Sequence, residues 1–256
     1  MGFLRRIAGS LKSSPSPARG KEGARAFGIG DIHGRLDLLN ALLAQIEAEV
    51  AALPKRRNFL VLLGDLIDRG PDSRGVVERL RTYRHEEIRP VFLVGNHEEI
   101  LLRVLDGEPG LIESWLQFGG AECAASYDVD VGKLARLSER EGAALLRRHI
   151  PPEHISFIED FADTFRFGDY LFVHAGIRPG IPLEEQRRQD LRWIRDPFLS
   201  DTHEHGFLVV HGHTVVEEID ERHNRIGIDT GAVRTGILSA IVIDQEQRRY
   251  MSTARR

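Results

Sequence analysis

The chain has 256 residues, of which 29% are charged and 41% hydrophobic, and its formal net charge is −4 at pH 7. This length suits one large domain with a sizeable core, and the acidic balance argues against a general nucleic-acid binder, which is usually basic. The single cysteine, Cys123, excludes an internal disulfide framework and a cysteine-rich zinc site, and it favours a reducing, cytoplasmic compartment.

The first 24 residues differ in composition from the rest of the chain. They are basic and rich in Gly, Ser and Pro, which is typical of a disordered tail, and residues 25–256 are predicted to form a single catalytic domain. Apolar residues in the tail are too scattered for a secretory signal. No apolar run approaches the ~20 residues that span a bilayer, so we expect no stable membrane association.

Strands and helices alternate in the first part of the domain. Apolar runs at 25–29, 59–63 and 91–94 predict strands, and helical stripes at 36–50 and 76–84 predict the helices between them. This alternation predicts parallel strands joined by right-handed crossovers. The carboxyl ends of such strands lie at one edge of the sheet, where ligand-binding groups belong.

The rest of the chain is predicted to be helical first and then rich in strands. Residues 98–161 suggest a helical cap that includes a helix at 134–149, and we expect Trp115 and Phe118 to pack in its core. Apolar runs predict further strands at 164–167, 170–173, 207–210, 215–219, 225–228, 238–243 and 249–251. The predicted fold is therefore α/β, with two sheets packed face to face, outer helices and a helical cap.

Polar clusters follow five of the predicted strands. They are Gly30-Asp31-Ile32-His33-Gly34, Gly64 to Gly70, Gly95-Asn96-His97-Glu98, His174-Ala175-Gly176 and Gly212-His213-Thr214. Alternate side chains of an extended chain share a face, so Asp31 and His33 can reach one ion. Asp65 can bridge that ion to a second, which Asn96, His174 and His213 can complete. Such oxygen and nitrogen ligands suit Mn²⁺, Fe or Zn²⁺.

A centre of this kind would attract phosphate and supply a nucleophile. Two divalent ions with Asp31, Asp65 and a bridging hydroxide keep a net charge of about +1. Arg69 has a planar fork that fits two phosphate oxygens. His97 is placed to act as a general acid on the leaving oxygen, and Asp68 would hold its imidazole.

These five motifs resemble the PPP family of metal-dependent serine/threonine protein phosphatases, in particular the compact bacterial and phage lambda type within the calcineurin-like metallophosphoesterases. The similarity runs from about residue 26 to 248. It implies a metallophosphoesterase-type sandwich in which Asp31, His33 and Asp65 bind one ion. The second ion would be bound by Asp65, Asn96, His174 and His213. Arg69, a second arginine and Asn96 would contact the substrate phosphate; Arg195 fits this role better than Arg192.

The resemblance implies hydrolysis of phosphate monoesters by a hydroxide bound at two divalent ions, most simply Mn²⁺. Phosphoserine and phosphothreonine in proteins would be the substrates. The alternative is a nucleotide hydrolase such as a symmetrical diadenosine tetraphosphatase, which usually has aspartate where Glu98 stands. A catalytically inactive binding module is disfavoured because every ligand position is filled. His211 stays open between structural use and ligation, and His203 and His205 are expected in a solvated loop.

Overall fold

A computed structural model describes residues 18–254. The alternating first part is confirmed. Its elements are β1 (Ala24–Ile29), α1 (Leu36–Ala52), β2 (Arg57–Leu62), α2 (Ser73–Arg81), β3 (Ile88–Phe92) and α3 (Asn96–Leu105). Strand β2 pairs with β1 and β3 in parallel, as predicted. The loops after these three strands therefore lie at one edge of the sheet.

The helical cap follows α3 and is more broken than the sequence predicts. It consists of α4 (Ile112–Trp115), a π-helix (Leu116–Gly120), α5 (Ala121–Ser126), α6 (Val131–Leu134), α7 (Glu139–His149) and α8 (Pro152–Glu159). The single helix predicted at 134–149 is wrong, because two helices occupy this region. Helix α6 ends at Leu134, and α7 begins only after Ser138, whose hydroxyl accepts from the Glu141 amide in a capping box.

Strands dominate the remainder of the chain. They are β4 (Thr164–Phe167), β5 (Tyr170–Val173), β6 (Leu208–His211), β7 (Asp220–Glu221), β8 (Arg225–Gly227), β9 (Ser239–Asp244) and β10 (Gln247–Ser252). A 3₁₀ turn (Leu183–Glu185), α9 (Arg188–Trp193) and α10 (Ala232–Thr235) lie between them. The strand predicted at 215–219 is wrong, since these residues form a loop in which Val215 is 43% exposed.

Within residues 18–254, ten strands form two mixed sheets, in the orders β10-β9-β1-β2-β3 and β4-β5-β6-β8-β7. One buried cluster contains Ala26 and Ile241 from the first sheet with Phe172 and Val210 from the second, so the two sheets pack face to face. A second cluster joins the outer face of the first sheet to α1, α2 and the cap. The predicted two-sheet sandwich flanked by helices is confirmed.

Part of the predicted tail lies among the described residues. The amide and carbonyl of Arg19 bond to Asp169, and the Gly20 amide donates to the carbonyl of Gln245. Residues 18–23 therefore contact the domain, whereas residues 1–17 lie outside the described part of the chain. The assignment of a tail and one domain stays a prediction. Within residues 18–254, no helix is both long and apolar enough to cross a bilayer.

The close approach of the two sheets makes a testable prediction at Gly28. A Cβ at this position would lie 2.7 Å from the ring of Phe172. We expect Gly28→Ala to lower the free energy of unfolding by about 1–3 kcal/mol, because overpacking displaces a core ring. Gly132→Ala is the matched control, since the nearest atom to its Cβ would be 3.4 Å away. Urea unfolding of both variants measures the effect, and equal stabilities would contradict it.

Candidate metal centre

All six predicted metal ligands are buried at the ends of strands. Asp31 and His33 follow β1, Asp65 follows β2, and Asn96 follows β3. His174 and His213 follow β5 and β6 in the second sheet. The parallel strands of the two sheets therefore bring side chains that are up to 182 residues apart in the sequence into one cluster.

Two overlapping groups in this cluster have the geometry to hold a metal ion. The first is His33, Asp65 and His97, and the second is Asp65, His174 and His213; ligand atoms within each lie within 4.8 Å of one another. Asp65 belongs to both groups, as its predicted bridging position requires. His97 enters the first group beside its predicted role as an acid, because its Nε2 lies 3.9 Å from Asp65 Oδ2.

Asp31 and Asn96 lie beside these two groups. The Asp31 carboxylate accepts from the backbone amide of His213, at 3.0 and 3.2 Å, and it belongs to neither group among the described residues. The amide oxygen of Asn96 lies 3.0 Å from His174 Nε2 and 2.8 Å from His213 Nδ1. His211 also lies outside both groups, against the ring of Phe198.

The donor set fits a divalent cation. His174 Nδ1 donates to the carbonyl of Leu63 at 2.8 Å, so its Nε2 carries the lone pair. That nitrogen faces Asn96 Oδ1 and, at 3.4 Å, Asp65 Oδ1. His174 Nε2, Asn96 Oδ1 and Asp65 Oδ1 are all acceptors, and they meet without a proton between them. The same Asn96 oxygen lies 2.8 Å from His213 Nδ1. A metal ion would satisfy the acceptor atoms that meet here.

The protonation states also suit metal binding. Burial lowers the pKa of His33 and of His213 to about 3, and it lowers the pKa of His174. Burial alone would raise the pKa of Asp65, but His174, His97, His33 and His213 together hold it well below its usual range. Neutral imidazoles at His33, His174 and His213 beside an ionised carboxylate are the forms that ligate metal, so binding at neutral pH requires no proton release from these three residues.

The backbone is unusual where it presents these groups. Residues His33, Asp65 and His213 have φ of 46°, 49° and 62°, in the left-handed region that non-glycine residues seldom occupy. The consecutive residues Asp68 and Arg69 have φ of 70° and 64°. Such conformations cost about 1–3 kcal/mol each and persist where surrounding contacts impose them, often at functional sites.

One residue that imposes this geometry is Glu98, for which sequence reasoning found no structural role. Its carboxylate accepts from the backbone amides of Asp65, Leu66 and Gly95 at 2.8–2.9 Å. It thereby joins the loops after β2 and β3. The bond to Gly95 has a sequence signal: Gly95 is the N-cap of α3, and a glutamate three residues after an N-cap reaches back to its backbone amide.

Asp229 is a second residue whose place the motifs did not reveal. It is buried beside Asp31, and its carboxylate accepts from the Gly231 amide at 2.9 Å. Burial, with the negative charge of Asp65, raises the pKa of Asp229 to about 6. Burial and the carboxylates of Asp229 and Asp65 likewise raise the pKa of Asp31. Positive charge at the cluster would therefore favour the ionised form of both residues.

The predicted pair of Asp68 and His97 is present. His97 Nδ1 lies 2.7 Å from Asp68 Oδ2, and both side chains are buried. Burial lowers the pKa of His97, but Asp65 and Asp68 outweigh it and raise the value. Trp115 is buried as predicted, yet its indole N–H also donates to Asp68. The prediction of core packing is wrong for Phe118, which is 68% exposed.

The three candidate arginines differ in their partners. Arg69 Nη1 donates to His33 Nε2 at 2.8 Å, beside the predicted ligands, and no carboxylate is its partner among the described residues. Arg192 is held by Asp163 and Glu99 at 2.8 and 3.2 Å, so its guanidinium is already paired. Arg195 is exposed and lines the same cleft as Arg69. The contacts therefore favour Arg195 over Arg192 for binding an anion.

A cleft of about 620 Å³ opens over the cluster. Its floor contains Asp65, Asn96, His97 and His213, and its sides carry Arg69 and Arg195. The remaining lining is mostly apolar or aromatic: Ile100, Ser114, Trp115, Phe118, Trp193, Thr214 and Val215. His203 and His205 were both expected in a solvated loop. The side chain of His203 is exposed as expected, whereas that of His205 is only 4% exposed, so the expectation is wrong for His205. Neither residue lines this cleft.

Comparison with known families agrees with this geometry. The family model described as calcineurin-like phosphoesterase matches residues 24–236. The chain belongs to the calcineurin-like phosphoesterase family. It is therefore a hydrolase of the metallophosphoesterase kind, and its buried His and Asp residues are able to bind metal.

Curated relatives of this phosphoesterase carry two kinds of name. It is 28% identical to the asymmetrical bis(5'-nucleosyl)-tetraphosphatase PrpE of Halalkalibacterium halodurans, over 83% of this chain and 87% of that one. It is 30% identical to serine/threonine-protein phosphatase 2 of Escherichia coli, over 82% and 89%. A solved metallophosphoesterase from Sphaerobacter thermophilus shares the fold, with a TM-score of 0.53 and 19% identity over 91% and 89%.

Asp65 belongs to both candidate metal-binding groups, so its substitution should affect both. We expect Asp65→Asn to weaken Mn²⁺ binding by more than ~100-fold, because even the hydrogen-bond partner of a metal ligand is worth ~10–100-fold. Metal content after dialysis, measured by elemental analysis, tests this. Asp160→Asn, a change of an exposed carboxylate, is the control. Undiminished metal in Asp65→Asn would contradict the role of Asp65.

Proposed function

We propose that the protein hydrolyses phosphate monoesters, with phosphoserine and phosphothreonine in proteins as its substrates. The observation that carries this proposal is the pair of arginines, Arg69 and Arg195, in one cleft with the acid pair of His97 and Asp68. These groups can bind one phosphoryl group and protonate one leaving oxygen. The relative named as a serine/threonine-protein phosphatase supports the choice of substrate.

We infer two metal positions that share Asp65. Asp31 and His33 would complete the first, and Asn96, His174 and His213 the second. The overlapping groups around Asp65 support His33, Asp65, His174 and His213, and the facing acceptors support Asn96. Asp31 lies outside both groups, and its place in the set comes from the family resemblance. The oxygen and nitrogen donors favour Mn²⁺, with Fe or Zn²⁺ as alternatives. Once bound, such ions supply an activated water and polarise phosphoryl oxygens.

The chain's own residues then hold the substrate and move one proton. The guanidinium groups of Arg69 and Arg195 bind non-bridging phosphate oxygens, and Asn96 contributes an amide beside them. His97 Nδ1 donates to Asp68, which leaves its Nε2 facing the cleft. Burial lowers the pKa of His97, but Asp65 and Asp68 outweigh it and raise the value, which favours a proton on Nε2; that proton would pass to the departing alkoxide.

The cleft also bears on the choice between a protein and a nucleotide substrate. Among its lining residues the arginines are Arg69 and Arg195, and lysine is absent from that lining. A polyphosphate carries negative charge on every phosphate, so it would need more cations than a monoester does. The exposed apolar side chains of Phe118 and Val215 suit the flanking residues of a phosphopeptide.

Hydrolysis of a dinucleoside tetraphosphate is the second candidate. The relative from Halalkalibacterium halodurans with that name favours it, and aromatic side chains such as Phe118 and Trp193 could stack on a base. The deciding experiment compares kcat/KM for a phosphoserine peptide and for diadenosine tetraphosphate with Mn²⁺. We expect the peptide to be preferred; a preference for the tetraphosphate would overturn the protein-phosphatase proposal.

The role of His97 predicts a difference between leaving groups. We expect His97→Asn to slow hydrolysis of an alkyl phosphate such as a phosphoserine peptide by ~100-fold or more. The loss with p-nitrophenyl phosphate should be much smaller, because nitrophenolate leaves without protonation. Steady-state rates at matched, saturating Mn²⁺ provide the measurement. Equal losses on both substrates would reject a general acid at this position.

A further inference from the structure

A short segment of the helical cap contacts Asp68 and Arg69, which lie three and four residues after Asp65. Trp115 donates its indole N–H to the Asp68 carboxylate, at 3.1 Å from Oδ2 and 3.3 Å from Oδ1. Four residues later, the carbonyl of Gly119 accepts from the Arg69 amide at 2.9 Å. The segment 115–120 is therefore bonded both to the partner of the proposed acid and to the proposed phosphate ligand.

The Asp68 carboxylate is fully buried, so its orientation depends on the groups around it. His97 and Trp115 donate to it, and the buried thiol of Cys123 lies against it. Its own amide donates to the hydroxyl of Ser73 at 2.9 Å. A buried carboxylate without donors would be costly. The indole N–H is one of the few groups that fix which oxygen faces the imidazole.

The cap segment is itself fixed by close packing. The π-helix Leu116–Gly120 contains Gly119 at a φ of 110°, and a Cβ there would lie 2.5 Å from the Arg69 side chain. A Cβ at Gly120 would lie 2.3 Å from the ring of Trp115. The indole is thus clamped against glycine backbone.

We propose that Trp115 is a positioning residue of the reaction, which acts through Asp68 on His97. Its indole N–H holds Asp68 Oδ2 against His97 Nδ1, so that the imidazole keeps its proton-bearing Nε2 directed into the cleft. The inference rests on the proposed acid role of His97. It makes the helical cap a part of the catalytic apparatus in addition to a wall of the cleft.

The alternative is that Trp115 only fills the core. That role predicts lower stability and an equal loss of activity on every substrate. Trp115→Phe distinguishes the two, because it keeps an aromatic ring and removes the N–H. We expect it to lower the rate on a phosphoserine peptide by about tenfold and the rate on p-nitrophenyl phosphate by less than about twofold, since only the peptide needs the acid.

The chain contains a matched control. Trp193, the other of its two tryptophans, also lines the cleft and donates its indole N–H to Glu99 at 3.4 Å. We expect Trp193→Phe to change the two rates by the same factor, because Glu99 does not contact His97 in the described structure. A substrate-dependent loss in Trp193→Phe equal to that in Trp115→Phe would remove the evidence for a specific role.

A double-mutant cycle separates this inference from the proposed function. In the His97→Asn background, Trp115→Phe should produce no further difference between peptide and p-nitrophenyl phosphate. If His97→Asn fails to distinguish the two substrates, the proposed acid role fails first. If His97→Asn distinguishes them and Trp115→Phe lowers both rates equally, the role proposed for Trp115 fails alone.

A measurement on metal-free protein tests the contact without any assay of activity. With only two tryptophans, ¹⁵N labelling gives two indole N–H signals in an NMR spectrum. We expect Asp68→Asn to shift the Trp115 signal and speed its hydrogen exchange, and to leave the Trp193 signal in place. An unmoved Trp115 signal would overturn the proposal even if Trp115→Phe does not fold.

Discussion

The constraint on which the site depends is the burial of polar groups around Asp65. The Asp65 carboxylate and four imidazoles lie together, largely buried below the cleft, with acceptor atoms facing one another. Such a cluster is expensive unless charge of the opposite sign completes it. Glu98 and the left-handed backbone at Asp65 hold the cluster in place at a further cost. The geometry therefore makes sense as a preformed metal site.

The two sheets of the sandwich place the buried side chains of the candidate site next to one another. Parallel strands deliver Asp65 and Asn96 to the edge of the first sheet, and β5 and β6 deliver His174 and His213 from the second. The cap then covers one side of the cluster and reaches Asp68 and Arg69 through Trp115 and Gly119. Residues of the candidate site thus come from both sheets, and the cap contacts two of them, which the chain order alone does not suggest.

Much of this arrangement could be predicted from the sequence. Apolar runs that end in Gly-Asp or Gly-Asn located β1 to β3 and the candidate ligands after them, because such runs end at the carboxyl edge of a parallel sheet. The strand predicted at 215–219 was wrong, since an apolar-polar pattern does not reveal whether a segment pairs with a neighbouring strand. The bond from Trp115 to Asp68 could not be predicted either, because it joins residues 47 positions apart.

The measurement that tests the central claim most directly is electron paramagnetic resonance of the protein titrated with Mn²⁺. Two ions that share Asp65 would lie ~3.5–4 Å apart and couple magnetically. The account predicts the spectrum of a coupled pair that saturates at two ions per chain. A spectrum of isolated ions, or saturation at a single ion, would contradict a shared centre at Asp65.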